Sequence, residues 1–268
     1  MATNPGLPTD GESDYDYRSD DVARPALVAD LEDRVDGEVR FDEYSRQLYA
    51  TDASIYEMTP IGVVFPKSTD DIAAAVAYCA ERGVAVLPRG GGTSLAGQTV
   101  NEAVVLDFTR YMDDLVAVDP DGRTATVQPG IYLGTLNDAV EPHGLKFAPD
   151  PAWGDKSAIG SAIGNNSTGS HSLQYGKTDA YVESVEAVLA DGRVVTLGET
   201  PLAEIRAEAD AEADALLPRI YAAVVRILDE EATEVDRRYP RLKRNVSGYS
   251  LDVLVEEARA GETVNLAR

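Results

Sequence analysis

The sequence predicts a mixed fold in which one parallel βαβ unit is joined to antiparallel hairpins and amphipathic helices. Three features carry that expectation. Strand, helix and strand follow one another over residues 61–87, and the usual right-handed crossover sets a glycine loop at the carboxyl end of the second strand. Asp119-Pro-Asp-Gly-Arg123 and Ala190-Asp-Gly-Arg193 each lie between short apolar runs, which is the pattern of a hairpin turn. Leu217, Ile220, Tyr221, Val224, Val225 and Leu228 share one face of a helix opened by Pro218.

The elements follow in order. Residues 1–24 are rich in Asp, Pro, Gly and Ser and hold too few large apolar groups to offset the entropy of ordering, so a disordered acidic tail is expected. Leu27, Val28, Leu31 and Val35 have helical spacing behind Pro25, and residues 41–50 form a second short helix. Ile61 to Pro66 is extended. Ser68 and Thr69 then offer caps, Asp70 and Asp71 suit a first turn, and Ile72, Ala75, Val76, Cys79 and Ala80 line one face before Gly83. Cys79 on that stripe reads as packing, not as a reactive thiol. Val84 to Leu87 leads into the glycine loop, and Ala103 to Phe108 leads out of it. Strands at Leu115–Val118 and Thr124–Val127 make the first hairpin. A helix then carries Leu133, Leu136 and Val140, and His143 in its final turn complements the helix C-terminus. Val182–Leu189 with Val194–Leu197 makes the second hairpin. Residues 199–215 alternate Ala with acids and read as a solvated connection. Arg237 to Arg244 is a basic strip, read as surface salt bridging or as a contact for a phosphate or a partner.

Composition narrows the function. The chain has 268 residues, 44% hydrophobic, with 24 Lys+Arg against 47 Asp+Glu for a net charge of −23. Only 5 of the 24 basic residues are Lys. That charge argues against nucleic acid as a partner, and an acidic, Lys-poor surface points to a halophile, whose high salt screens self-repulsion within a few Å. One cysteine allows no intramolecular disulfide and no thiol pair for a zinc or iron–sulfur site, so a reducing cytoplasm is expected. No run approaches the ~18 apolar residues of a membrane span, and the N-terminus lacks a signal-peptide core.

Two stretches carry chemistry. In Pro88-Arg-Gly-Gly-Gly-Thr-Ser-Leu-Ala-Gly-Gln-Thr99 a backbone free of side chains can turn successive amides towards an anion, with Thr93 and Ser94 adding hydroxyls. The loop lacks the P-loop Lys and runs from strand to strand, so taken alone it fits a glycine turn as well as a phosphate site. The second stretch is Ser157 to Ser172, preceded by the rigid Phe147-Ala-Pro-Asp-Pro151. Gly160 and Gly164 admit close approach, and Asn165, Asn166, Ser167 and Thr168 cluster donors. His171 in this stretch is read as an ordinary hydrogen-bonding group.

The ordered set Pro88-Arg-Gly-Gly-Gly-Thr-Ser, Pro129-Gly, Pro149-Asp-Pro151, Ile163-Gly-Asn-Asn-Ser-Thr-Gly-Ser170, Tyr175-Gly176 and Val188-Leu-Ala-Asp-Gly192 resembles the FAD-binding domain of the vanillyl-alcohol oxidase family. It is most similar to the FAD-linked D-lactate dehydrogenase and glycolate oxidase branch, over roughly residues 40–260. The resemblance implies an α+β, two-subdomain FAD-binding PCMH-type fold, with a small βαβ subdomain and a larger mixed or antiparallel sheet with helices. It divides the chain into a tail at 1–24, helices at 25–55, the FAD-binding domain at 56–200 and a helical connector at 201–268 leading towards a cap domain.

Carried over by position, the loop from Pro88 through Arg89, Gly90, Gly91, Gly92, Thr93 and Ser94, with Gly97 and Gln98, would bind pyrophosphate. Pro149, Asp150, Gly160, Gly164, Asn165, Asn166, Ser167, Gly169 and Ser170 would line flavin and ribityl, and Val188 would approach the ADP half. Two glycine-rich walls are expected to leave room between them for a flat ring. The first loop has no His to which FAD could be attached, so noncovalent FAD is expected. No catalytic residue and no metal ligand is assigned.

The resemblance also implies a substrate-binding cap and a cysteine-rich iron–sulfur region, and these 268 residues hold neither. One expectation is an FAD-dependent oxidoreductase, or its FAD-bearing part, that oxidises a D-2-hydroxy acid such as D-lactate or glycolate. Its partner would be a chain or domain with the cap and iron–sulfur centres. The alternative is a noncatalytic FAD-binding or assembly subunit.

Overall fold

The computed structural model describes residues 24–242, 245, 246 and 248–268. The expected tail, Arg24 apart, lies outside the described residues, as do Lys243 and Arg244 of the basic strip. The chain runs α1 (Pro25–Glu32), β1 (Glu38–Arg40), α2 (Glu43–Leu48), β2 (Gly62–Phe65), α3 (Thr69–Glu81), β3 (Val86–Arg89) and β4 (Val104–Asp107). These form one four-stranded sheet in the order β1-β2-β4-β3, with β4 parallel to both β2 and β3 and β1 antiparallel at one edge.

The central strands are apolar because both of their faces are covered. Every residue of β2 and β4 is buried. On one face Leu27 and Leu31 of α1, and Ala75, Tyr78 and Cys79 of α3, pack on Val64, Val104 and Leu106. Val63, Phe65 and Val105 supply the other face, against Tyr49, Leu87 and Tyr111. Burial pushes the Cys79 thiol up to about 11, as its place on the apolar stripe predicts. Asp71 has more to do than suit the helix dipole: its carboxylate accepts the amides of Asp36 and Lys67, each at 2.8 Å, and so stitches α3 to the strand ends.

The next part holds the hairpin β5 (Leu115–Asp119) and β6 (Thr124–Val127), then α4 (Leu133–Val140), α5 (Ile159–Gly164) and the single turn α6 (Ser172–Tyr175). Ile131, Leu133, Leu136, Val140, Ile159 and Ala162 are its core. The hairpin β7 (Val185–Val188) and β8 (Val194–Leu197) follows. The donor-rich stretch 157–172 contains α5 and runs into α6, both too brief to show the apolar period by which helices are recognised.

A larger correction concerns 199–215. This segment forms β9 (Glu199–Pro201) and α7 (Leu202–Glu208), and Ile205 is fully buried. It packs with α8 (Leu216–Arg226), α10 (Leu251–Ala260) and β10 (Thr263–Asn265), which pairs antiparallel with β9. One buried Ile among Ala and acids makes no stripe in sequence, and the strand it leans on comes from residues about 60 further along. A π turn over Ile227–Glu231 links α8 to α9 (Ala232–Arg238). Arg237 and Arg238 both pair with Glu234, an exposed arrangement that contributes little to stability. No helix among the described residues is long and apolar enough to cross a membrane.

Candidate functional site

The first glycine loop leaves the carboxyl end of β3, the outer strand of the parallel trio. Pro88, which has no amide to give a ladder, is tolerated at that edge. The carbonyl of Arg89 accepts Phe108 N at 3.2 Å, the last backbone bond before the loop. From Gly90 to Leu95, six consecutive backbone amides donate no hydrogen bond to any described residue. Gly90 and Ser94 are themselves buried, and buried amides are almost always satisfied by protein, water or a ligand.

The two glycine-rich walls meet instead of standing apart. A Cβ on Gly91 would lie 1.7 Å from the carbonyl oxygen of Lys156, and one on Gly90 would lie 2.3 Å from Ser161 Oγ. Thr93 Oγ1 and Ser157 Oγ are 3.2 Å apart. These contacts correct the expected gap at that end of the segments: Gly91 is needed there for backbone-to-backbone contact. Nor is its φ positive. The left-handed residues of the loop are Gly92 at +64° and Gly97 at +78°. The Gln98 carboxamide oxygen accepts Ala96 N at 3.1 Å and closes the turn around Gly97.

In the second segment Gly160 packs on Pro129, and Gly164, the last residue of α5, has nothing near the position of a Cβ. Asn165, Ser167 and Thr168 follow, and their side chains, like that of Ser94, make no hydrogen bond within the described residues. Asn166 differs. At φ +45° its amide group spans Asp179, donating to Oδ2 at 2.8 Å and accepting its N–H at 3.0 Å, so it braces the loop. Lys177 is engaged as well, 2.8 Å from Asp179 Oδ2 and 3.0 Å from the Asn245 carbonyl.

Pro149-Asp150-Pro151 lies against Gly169 and Ser170 through an antiparallel bridge between Pro151 and Gly169. Asp150 has φ +50°, a left-handed conformation uncommon outside glycine that Asp and Asn adopt most readily. Its carboxylate meets Lys146 Nζ at 3.1 Å, Ser170 Oγ at 3.3 Å and His171 Nδ1 at 3.4 Å. The Lys146 ammonium holds that carboxyl below the usual range, outweighing the opposing effect of burial. Val188 sits in β7 opposite Val194, in the hairpin whose turn packs on α3 at Ala77.

A family profile described as an FAD binding domain matches residues 60–198, just over half of the chain. The chain belongs to that family. FAD is its cofactor. D-2-hydroxyglutarate dehydrogenase of Pseudomonas putida is 32% identical over 82% of this chain and 22% of its own length. The glycolate oxidase subunit GlcD of Bacillus subtilis is 37% identical over 62% of this chain and 36% of its own. D-lactate dehydrogenase of Archaeoglobus fulgidus is 40% identical over 51% and 30% respectively. The chain therefore spans only about a fifth to a third of these relatives. Among solved structures, xylooligosaccharide oxidase from Myceliophthora thermophila superposes with a TM-score of 0.55 at 27% identity, covering 65% of this chain and 37% of that one. This likeness, with the family match, agrees with the FAD-binding fold class implied by the sequence.

The residues fit FAD. Unpartnered amides suit the oxygens of a diphosphate, and the free groups of Ser94, Asn165, Ser167 and Thr168 suit ribityl hydroxyls and the polar edge of a flavin. Sequence reasoning missed the supports behind the loop. Asp52 accepts Ser54 N at 2.8 Å and Thr99 Oγ1 at 3.0 Å, and Asp107 accepts the Tyr49 hydroxyl at 2.5 Å. An acid ending the apolar run 103–106 was the available signal for Asp107; none marked Asp52. A cavity of about 450 Å³, lined by Tyr49 and Asp107 of these supports together with Arg40, Leu48, Phe65 and Arg110, holds none of the predicted residues.

Burial pushes the Asp52 carboxyl up, but the hydrogen bonds from Ser54 and Thr99 outweigh it and leave the group below its usual range. A depressed folded-state value means that this anchorage is complete above the unfolded-state pKa and is lost as pH falls through the folded value. Asp52→Asn is therefore expected to be less stable than wild type at neutral pH and to approach it as pH falls through the depressed folded value, which urea midpoints over an acid series check.

Proposed function

We propose that the chain is the FAD-bearing part of an oxidoreductase that converts a D-2-hydroxy acid, such as D-lactate or glycolate, into the 2-oxo acid. The six unpartnered amides at the end of a parallel strand carry this reading. The relatives' names, which specify D-2-hydroxyglutarate, glycolate and D-lactate, support the substrate class. When bound, FAD accepts the hydride from the α-carbon. The chain's own residues bind and orient it. Gly90 to Ser94, with Gly97 and Gln98, hold the pyrophosphate, and Pro88 delivers the loop. Asp150, Gly160, Gly164, Asn165, Ser167, Gly169 and Ser170 line the ribityl and ring. Pro149 leads into Asp150 in the same wall, Asn166 braces the segment, and Val188 borders the ADP half.

The first loop contains no His, which supports noncovalent attachment. The cap and iron–sulfur centres belong to a further chain or domain, in keeping with one relative's being named a subunit. A reducing cytoplasm at high salt is the proposed setting, supported by the single cysteine and the charge of −23; a thermal midpoint that failed to rise with KCl would count against it. The substrate class is tested by mixing the FAD-loaded chain and a cap-bearing partner with D-lactate, glycolate or D-2-hydroxyglutarate without oxygen. Bleaching of the visible band by one of the three is expected, and no bleaching by any of them overturns the substrate class.

A further inference from the structure

The guanidinium of Arg89 lies behind the glycine loop, on its protein side. It donates to the carbonyls of Thr51 at 2.9 Å, Thr99 at 3.0 Å and Tyr49 at 3.3 Å, and its carbon stands 5.0 Å from the centre of the Tyr49 ring. A Cβ on Gly92 would lie 2.6 Å from Arg89 Nη2, so the side chain fills the concave side of the turn at its left-handed residue. Ala53 N donates to the Gly92 carbonyl at 3.0 Å, and Asp52 holds Thr99. The start of the loop, its end and the 49–53 segment are thus joined through one planar fork. Burial opposes the positive charge of that fork, and the nearby Asp107 and Asp52 carboxylates favour it to a smaller extent.

We propose that Arg89 is a positioning residue: it ties Thr99, Tyr49 and Thr51 together beneath Gly92, and so holds the Gly90–Leu95 amides in the geometry that receives a diphosphate, which it does not itself touch. This deepens the FAD-binding reading and revises the pyrophosphate contact expected of the Arg89 side chain. The physical reason is directional. Three of the five guanidinium N–H donors already serve neutral carbonyls on the protein side of the loop, which fixes the plane of the group there and not around a phosphate on the far side. Its contribution is preorganisation, which lowers the cost of ordering the loop when the ligand arrives. Lysine keeps the charge but has no planar fork to span the carbonyls.

The test uses the full chain with Arg89→Lys and Arg89→Gln. FAD affinity is read by flavin fluorescence over a range of KCl concentrations, and loop exchange is read by amide hydrogen–deuterium exchange without FAD. Both variants are expected to bind FAD about tenfold or more weakly, with a salt dependence parallel to wild type and faster exchange over residues 90–99. Rescue by Lys, or a flatter salt dependence in the Gln variant, would show a direct charge contact and overturn the proposal. Unchanged exchange over 90–99 would overturn it too. If wild type itself binds no FAD, the cofactor reading fails, and exchange still decides whether Arg89 positions the loop. Far-UV circular dichroism identifies a variant that has not folded, and Tyr49→Phe, which removes the Asp107 bond but leaves the ring, then supplies the same comparison with a smaller loss.

Discussion

Gly91→Val is expected to abolish measurable FAD binding, a loss of more than about a hundredfold, while most helix and strand signal survives. A Cβ at this position would meet the Lys156 carbonyl oxygen at 1.7 Å and its carbon at 3.0 Å, both backbone atoms with no rotamer to change. The two segments must then separate, which breaks the Thr93–Ser157 contact and disperses the amides of Gly90 to Leu95. Overpacking of this kind costs about 1–3 kcal/mol or more. The sheet is spared because β2 and β4 take their burial from α1, α3 and the Tyr49 side, and none of these contacts involves Lys156. Fluorescence titration with FAD, alongside far-UV circular dichroism and a urea midpoint, checks both parts. Near-normal affinity in the variant would mean that the junction of the two segments does not shape the site.

The second large effect is an absence of turnover. The chain alone, loaded with FAD, is expected to show little or no flavin reduction by D-2-hydroxy acids. Hydride transfer requires the α-carbon to be held ~3–3.5 Å from its acceptor, with a base within reach of the hydroxyl. The described residues leave few groups for either task. Lys177 is taken by Asp179 and Asn245, Lys146 by Asp150, and His171 lies beside the Asp150 carboxylate. A partner carrying the cap is expected to restore reduction, read as stopped-flow bleaching of the visible band. Failure with every cap-bearing partner would favour the assembly-subunit alternative. Rapid bleaching by the chain alone would contradict the expectation and direct attention to His171 and Tyr175, whose rings meet edge to face at 6.3 Å.

Much of this architecture was legible in the sequence. The βαβ unit, both hairpins and the helices at 25–32, 69–81 and 133–140 stand where apolar period and turn chemistry put them. What was not legible depends on partners distant in sequence. β1 forms because Val39 pairs with Val64, and β9 because Thr200 pairs with Val264, and a strand of three residues has no period to read. At the site, glycine spacing marked both segments as candidates, but a glycine serving a ligand and a glycine serving the protein's own backbone look identical in sequence. Gly91 serves the protein's own backbone through its close approach to Lys156, whatever its amide receives. Arg89 and Asn166 likewise carry donor chemistry that suits a ligand, and each gives it to the protein.

The central claim is tested most directly by the visible spectrum of the purified full chain, recorded after incubation with FAD and gel filtration in high salt. One FAD per chain should co-elute with the protein and pass into the supernatant when the protein is denatured. Protein that elutes colourless at every FAD and salt concentration would contradict the account, and colour retained by the denatured chain would contradict noncovalent binding.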